Sequence, residues 1–397
     1  MGLIYKIIIM NFSLTIRNIF LFVFGNLIQP ILKIIRLFFK FQFCHIHSKR
    51  IGHLILDYDI ALLSKKEDTL LLCSHSKKVA NKFIADFLKN QKNVLFFNFF
   101  KFIYHSIHFT NPNSNLIISW EQYHPQFHLY FSQKSKIELP YYSQSKINEI
   151  LIKYKIKKNF VGLYARNNLY LKKIVPEDKN FHDYHDFNFE DYKLSVEYLD
   201  NKDNSIIKLG KHFPEENLNC FKTKIINSGD FQSNEEIDYF LNVFSRFNVF
   251  TCSGICAMSI LARKKVVYVN YIPLNLIQLS WCSPGSLILP KKILNKETGK
   301  FLTFKESNEL NLHAMYQTNP YENKNLAYVN NSPKEILETI TEMDEILIEK
   351  NNSDAIKLNN QFWESLTDKN HEKIDYLKNV LKLSISTQFL KNNQNLF

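Results

Sequence analysis

The sequence is short of glycine, with nine in 397 residues beside 34 phenylalanines and 20 tyrosines. That bias reads first as the imprint of an AT-rich genome and says little about function. The six cysteines (Cys44, Cys73, Cys220, Cys252, Cys256, Cys282) include no Cys-x-x-Cys pair and sit mostly in apolar runs. They read as reduced core residues of a cytosolic protein rather than as a disulfide framework. The thirteen histidines lack ligand spacing as well, which argues against a Cys/His metal site. Acidic residues are absent from the first 56 positions, which hold seven basic ones.

What is present describes a folded protein. Hydrophobic residues make up 45% and charged residues 22% of the chain, and the length suits two or three domains. The formal net charge is +12, and seven of those charges lie in the acid-free amino-terminal stretch. The remainder is close to balance, so a nucleic-acid partner is not expected.

Residues 1–43 are strongly apolar. Lys6, Arg17, Lys33, Arg36 and Lys40 cut them into uncharged runs of ten and fifteen residues, short of the roughly 18–20 that a spanning helix needs. No small-residue cleavage site follows. Asn26, Gln29, Lys33, Arg36 and Lys40 recur at helical spacing and form one polar stripe on a greasy cylinder. Such a helix suits the plane of an anionic membrane surface, here the inner face of the cytoplasmic membrane. The alternatives are a helix packed on the protein's own body or in a dimer interface, with a transmembrane span as the lesser option.

After Phe43 the pattern alternates strand and helix. Residues 44–150 form a first α/β unit with strands at Phe41–His47, Thr69–Cys73, Val94–Phe99 and Leu116–Ser119 and an amphipathic helix around Val79–Leu88. A helix near Lys146–Lys155 follows the loop-rich stretch from Asn111 to Ser145. Residues 151–330 form a second unit, with strands at Phe160–Ala165, Ser205–Leu209, Lys224–Asn227, Val249–Cys252 and Val266–Asn270 and helices at Glu190–Leu199, Glu235–Phe244 and Ile255–Ala262. The expected fold class is therefore α/β, with two Rossmann-like domains facing a cleft and parallel sheets covered on both faces. Residues 331–397 read as a helical tail, opened by Ser332-Pro333 with Glu335 as a capping pattern.

Five segments could carry chemistry. Around Ser253-Gly254 a strand runs into a helix, where backbone N–H groups and the helix dipole favour a phosphate; the alternative is an ordinary helix cap. Lys208, Gly210 and Lys211 lie at another strand end and suit a diphosphate, or are a solvated turn. Arg166 ends a buried strand and needs an anion, either a ligand phosphate, which this reading favours, or a protein carboxylate. Gly52 and His53 open a helix after the first strand, where His53 would bind a sugar hydroxyl or act as a base, or simply cap and pack. The run Phe181-His182-Asp183-Tyr184-His185-Asp186-Phe187 offers a general base or a weak metal site, or local turn chemistry.

Taken together, these segments resemble a bacterial family of glycosyltransferases from surface-polysaccharide gene clusters. The resemblance rests on Tyr164-Ala-Arg166-Asn167, Tyr184-His-Asp-Phe187, Asp191-Tyr192, Ile206-Ile-Lys208-Leu-Gly210, Ile226-Asn-Ser228 and Cys252-Ser253-Gly254. It also takes in the segment from Leu289-Pro-Lys to Phe304, Asn331–Ile336 and the early loop Arg50-Ile-Gly52-His53, and so covers roughly residues 50–366. It implies a two-domain GT-B-type fold, with the acceptor on the amino-terminal domain and a nucleotide-sugar on the carboxyl-terminal one. No metal or cofactor is implied, the nucleotide-sugar being the donor substrate. Gly52, Lys208, Gly210, Lys211, Ser228, Ser253 and Gly254 would bind the donor. Arg166 and Lys208 would neutralise the leaving diphosphate, and His53, Asp183 or Asp186 would deprotonate a glycan or lipid-linked acceptor. The sequence departs from the family pattern at Asn167, at Lys208 and at Asn188, where Asp, Arg and an Arg-Asn pair are usual. The second reading is therefore a catalytically degenerate relative that binds or scaffolds.

Overall fold

The computed structural model describes residues 2–66, 68–119, 122, 127–167, 183–210, 218–231, 235–310, 312, 318–348, 353–366 and 371–397, with backbone alone at 2–14, 127, 277 and 308. The chain divides into two compact units: residues 1–130 with 135–140, and residues 131–134 with 141–397.

The first unit holds helix α1 (Gly2–Ile35), strand β1 (Phe41–Ile46), α2 (Ile51–Ser64), β2 (Leu70–His75), α3 (Lys82–Lys89), β3 (Val94–Phe96), α4 (Phe100–Thr110) and β4 (Ile117–Ile118). Its sheet runs β3-β2-β1-β4 with every pairing parallel, Phe43 standing against Leu72 on one side and Ile117 on the other. Asn81 caps α3, its side chain accepting from the Ile84 N–H at 2.8 Å.

The amino-terminal segment is part of this unit. Helix α1 lies on α4: the Phe24 and Phe102 rings are 4.7 Å apart, Gln29 Nε2 donates to Thr110 Oγ1 at 2.6 Å, and Leu32 enters a core with Phe43, Tyr104 and Ile107. The two helices approach so closely at Gly25 that an added Cβ would lie 2.3 Å from the Ser106 carbonyl oxygen. This corrects the expected orientation of the helix. Two members of the polar stripe turn inward, Gln29 to Thr110 and Arg36 to the Asn115 carbonyl, while Ile19, Phe22, Leu27, Ile31 and Ile34 are exposed. The expected division into short apolar runs also fails. Thr15–Ile35 is a single helical stretch of mean hydropathy 1.7, long and apolar enough to cross a membrane, because Arg17 and Lys33 sit near its two ends.

The second unit runs α5 (Gln144–Lys153), β5 (Phe160–Tyr164), α6 (Lys193–Asn201), β6 (Ser205–Lys208), β7 (Ile225–Asn227), α7 (Glu235–Phe244), β8 (Asn248–Phe250), α8 (Ala257–Leu261), β9 (Val266–Tyr271), β10 (Leu287–Pro290), β11 (Lys292–Asn295), β12 (Lys300–Phe301), β13 (Leu326–Val329), α9 (Pro333–Leu347), α10 (Ser353–Ser365) and β14 (Ser384–Ile385). Seven strands form one parallel sheet in the order β14-β10-β9-β8-β5-β6-β7. Buried along their whole lengths, β6, β8, β9 and β10 show the continuous apolar character of a sheet covered on both faces. A small antiparallel sheet, β12-β11-β13, follows β10 directly.

Residues 331–397 are not a separate helical tail. Their strand β14 pairs with β10, and the Ile385 N–H donates to Asn359 of α10 at 2.7 Å. Helix α9 starts with the expected capping box, Ser332 and Glu335 exchanging side-chain and backbone hydrogen bonds.

Candidate functional site

The strand order fixes where a ligand can sit. From β5 the chain steps outward through β6 and β7, then returns to the other side of β5 with β8 and continues through β9 and β10. The order therefore reverses between β5 and β8, and in open α/β sheets the crevice beyond the carboxyl ends of those two strands is the binding position. Arg166 follows β5 and Thr251-Cys252-Ser253-Gly254 follows β8. The Arg166 N–H donates to Thr251 Oγ1 at 3.2 Å, joining the two strand ends.

Arg166 is buried, and its guanidinium donates to the Asp186 carboxylate. The expected ligand phosphate thus has a protein counterpart in place, because a buried guanidinium keeps its charge and takes the nearest anion. Lys291, at the junction of β10 and β11, is 3% exposed and donates from Nζ to the carbonyls of Tyr184 at 2.7 Å and Asp186 at 3.3 Å. Its ammonium also lies 4.7 Å from the centre of the Tyr328 ring. Burial pushes the Asp186 carboxyl up to about 6 despite the opposing pull of Arg166. Burial likewise brings Lys291 down to about 7, with Asp186 opposing the shift and Arg166 adding to it. Arg166 thus pairs with the Asp186 carboxylate while Lys291 holds the backbone that carries it.

The turn after β8 departs from the expected helix at Ile255–Ala262: a 3-10 turn, Gly254–Cys256, precedes the short α8. Ser253 makes no cap hydrogen bond, and its Oγ is buried with no partner among the described residues. A buried hydroxyl left in that state costs about 1–3 kcal/mol, which a bound acceptor atom would recover. Burial raises the neighbouring thiols, Cys252 to about 12 and Cys256 to about 11, which favours their protonated form.

Two strands away, Lys208 is buried beside the Phe189 ring and pairs in register with Leu163 on β5. Gly210 has φ +92, a conformation that L side chains rarely adopt, and Ser228 Oγ donates to its carbonyl at 3.3 Å. The ends of β5, β6, β7, β8 and β10 therefore gather Arg166, Asp186, Lys208, Gly210, Ser228, Ser253, Gly254 and Lys291 along one edge of one sheet. Asp183 plays a different part, its Oδ1 accepting from the Thr318 N–H at 2.8 Å and fixing the backbone there. Lys211 and His182 lie outside the described residues.

Gly52 and His53 belong to the first unit, in the opening turn of α2. His53 Nδ1 and Asp57 Oδ1 are 3.2 Å apart. Asp57 thus orients the His53 ring. Sequence reasoning missed Asp57, although its i,i+4 spacing from His53 on an evident helix is a usable signal. It also passed over Lys291 as a site residue, because a lysine before a polar strand reads as surface.

No family model matches the sequence, and no curated protein does. Among solved structures the chain is similar to "the glycosyl transferase family 9 from Veillonella parvula DSM 2008", at 9% identity and a TM-score of 0.49 over 78% of this chain and 98% of that one. It is also similar to the dodecameric iron-containing glycosyltransferase TibC from enterotoxigenic E. coli H10407, at 10% identity and a TM-score of 0.29 over 58% of this chain and 57% of that one. A heptosyltransferase TibC in complex with ADP-D-beta-D-heptose matches at 9% identity and a TM-score of 0.27, again over 58% and 57% of the two chains. Similarities of this size assign neither activity nor substrate to the chain.

Proposed function

We propose that the protein is a glycosyltransferase of GT-B type that moves a sugar from a nucleotide-sugar to a glycan or lipid-linked acceptor in surface-polysaccharide synthesis. The observation that carries this reading is the reversal of strand order between β5 and β8, which puts Arg166 and the Ser253-Gly254 turn side by side. The donor diphosphate lies along the strand ends, taking hydrogen bonds from Ser253, from the backbone at Gly254 and Gly210, and from Lys208, while Ser228 braces the Gly210 turn through its carbonyl. The acceptor hydroxyl attacks the anomeric carbon, the bond from that carbon to the diphosphate oxygen breaks, and the diphosphate leaves with the electron pair. Lys208, Arg166 and Lys291 offset the charge that develops on it. The hydroxyl proton goes to Asp186, whose raised pKa suits a base near neutrality, or to His53 aimed by Asp57. The exposed apolar face of α1 holds the enzyme at the cytoplasmic face of the membrane.

One observation favours a catalytically degenerate binder: the Arg166 charge is already met by Asp186. Thermal unfolding with a panel of UDP-, GDP-, CMP- and ADP-sugars tests both readings. Stabilisation by one donor, followed by its turnover with an acceptor extract, is the expected result. Stabilisation without turnover selects the binder, and a flat response across the panel overturns donor binding altogether.

A further inference from the structure

The first unit carries a constellation that the proposed chemistry leaves unused. His45 lies near the end of β1 and His47 directly follows it, His75 ends β2, and His105 lies on α4. The His45 ring centre is 5.1 Å from that of His47 and 4.9 Å from that of His105, and His47 lies 6.1 Å from His53. His45 Nδ1 is 3.0 Å from Ser74 Oγ, which anchors the cluster to β2. Positive side chains act on it from α4, through Lys101, and from one further element, α1, through Arg17, while Asp57 is engaged with His53. Burial, then His105 and the other neighbours, lowers His45 to about 3. Burial, then Lys101 and the other neighbours, lowers His105 to about 4. Protonating any member adds repulsion to the rest, whereas an anion would take N–H donors from several of them at once. The cluster stands at the carboxyl ends of parallel strands, the position where open sheets bind ligands. Among the described residues no three His, Cys, Asp or Glu side chains converge to hold a metal ion.

Exposed aromatic rings lie on α1 and α4 and in the segment between β3 and α4. Phe20 of α1 contacts Phe102 at 5.4 Å between ring centres, Phe102 contacts Phe99 at 6.1 Å, and Phe97 contacts Phe100 at 5.9 Å. Phe20, Phe97 and Phe99 are all more than half exposed, at 57%, 65% and 54%. The rings run from the outward face of α1 to the segment between β3 and α4, and His105 follows one helical turn after Lys101. A polar, cation-flanked histidine cluster with exposed aromatic rings on the same helices fits a molecule with an anionic head and an apolar tail.

We propose that this histidine cluster binds the phosphate headgroup of an amphiphilic lipid phosphate whose hydrocarbon lies along the aromatic surface of α1 and α4. This rests on the glycosyltransferase reading in that the lipid phosphate is then the carrier of the acceptor. Calorimetric titration of the full chain with geranyl phosphate, inorganic phosphate and geraniol, each below its aggregation limit, tests it. Geranyl phosphate should bind at least tenfold more tightly than either fragment. A His45→Gln/His105→Gln variant and a separate Arg17→Gln/Lys101→Gln variant, the latter at exposed positions that leave the core intact, should each weaken it at least fivefold. Equal binding of inorganic phosphate would make this a free-phosphate site, and equal binding of geraniol would remove any role for the histidines; either result overturns the proposal, as does unchanged affinity in both variants. The same preparations are melted with the nucleotide-sugar panel. Donor stabilisation without geranyl phosphate binding sinks this proposal alone, and the reverse pattern sinks the transferase reading while the lipid phosphate site stands.

Discussion

Lys291 holds the carbonyl of Tyr184, 107 positions earlier in the chain, at 2.7 Å. The bond ties the segment bearing Asp186 to the end of β10 and so sets the distance between the carboxylate and the sheet edge. Lys291→Met keeps the aliphatic stem and removes the donors to two carbonyls. It should cost about 1–3 kcal/mol in urea unfolding and lower donor turnover at least tenfold. Unchanged stability would show that the Tyr184 carbonyl has no need of this partner.

The same pair sets a pH dependence. Asp186, raised to about 6, becomes a competent base only as pH rises through that value, and Lys291, lowered to about 7, loses its charge as pH rises further. The profile of kcat/KM should therefore be bell-shaped, with limbs near 6 and 7. Asp186→Asn removes the rising limb if Asp186 takes the proton. Persistence of that limb in Asp186→Asn would remove Asp186 from that role.

Ser253 separates packing from binding. Its buried hydroxyl has no partner among the described residues, so Ser253→Ala should leave stability unchanged or raise it by about 1 kcal/mol. Donor affinity, measured by calorimetry, should fall about tenfold. A marked loss of stability with affinity intact would make the hydroxyl structural.

At Gly25 the contact is backbone against backbone. A Cβ there would press on the Ser106 carbonyl oxygen, so Gly25→Ala should destabilise the first unit by about 1–3 kcal/mol, read as earlier hydrogen exchange in α1 and α4. Unaltered protection would mean that the two helices can part without cost.

Membrane attachment calls for surface changes rather than truncation, since removing α1 would uncover Phe43, Tyr104 and Ile107 beneath it. Replacing Ile19, Leu27 and Ile34 together by Gln alters the exposed face alone. Co-sedimentation with anionic vesicles should fall at least tenfold, and retention at the wild-type level would rule out that face as the attachment.

Much of the fold was legible because apolar runs in a doubly covered parallel sheet are nearly continuous. The strands at 160–164 and 205–208 and helix α7 fall close to their sequence-derived positions. Helix α4 was not, since Phe, Tyr and His are mediocre helix formers and mask its periodicity. Strand β14 has two residues and no pattern to read, and β10 and β11 join without a turn signal. The polar stripe on α1 was visible but its direction was not: a period identifies a stripe, and only the partner decides which side is buried. Site residues at strand ends were identifiable one by one. The pairing of Arg166 with Asp186 was not, because it depends on how a loop folds back over the sheet.

The distant origin of β14 bears on how the chain is made. All the strands of the first unit have been synthesised by residue 118, so it can fold while the ribosome is still at work. Strand β10 ends at Pro290, but its outer neighbour begins only at Ser384. At roughly 5–20 residues per second, the Leu-Ile-Leu edge of β10 waits some seconds for its partner. A nascent chain stalled in that interval presents an open apolar strand, the surface on which chaperones and misassembly compete.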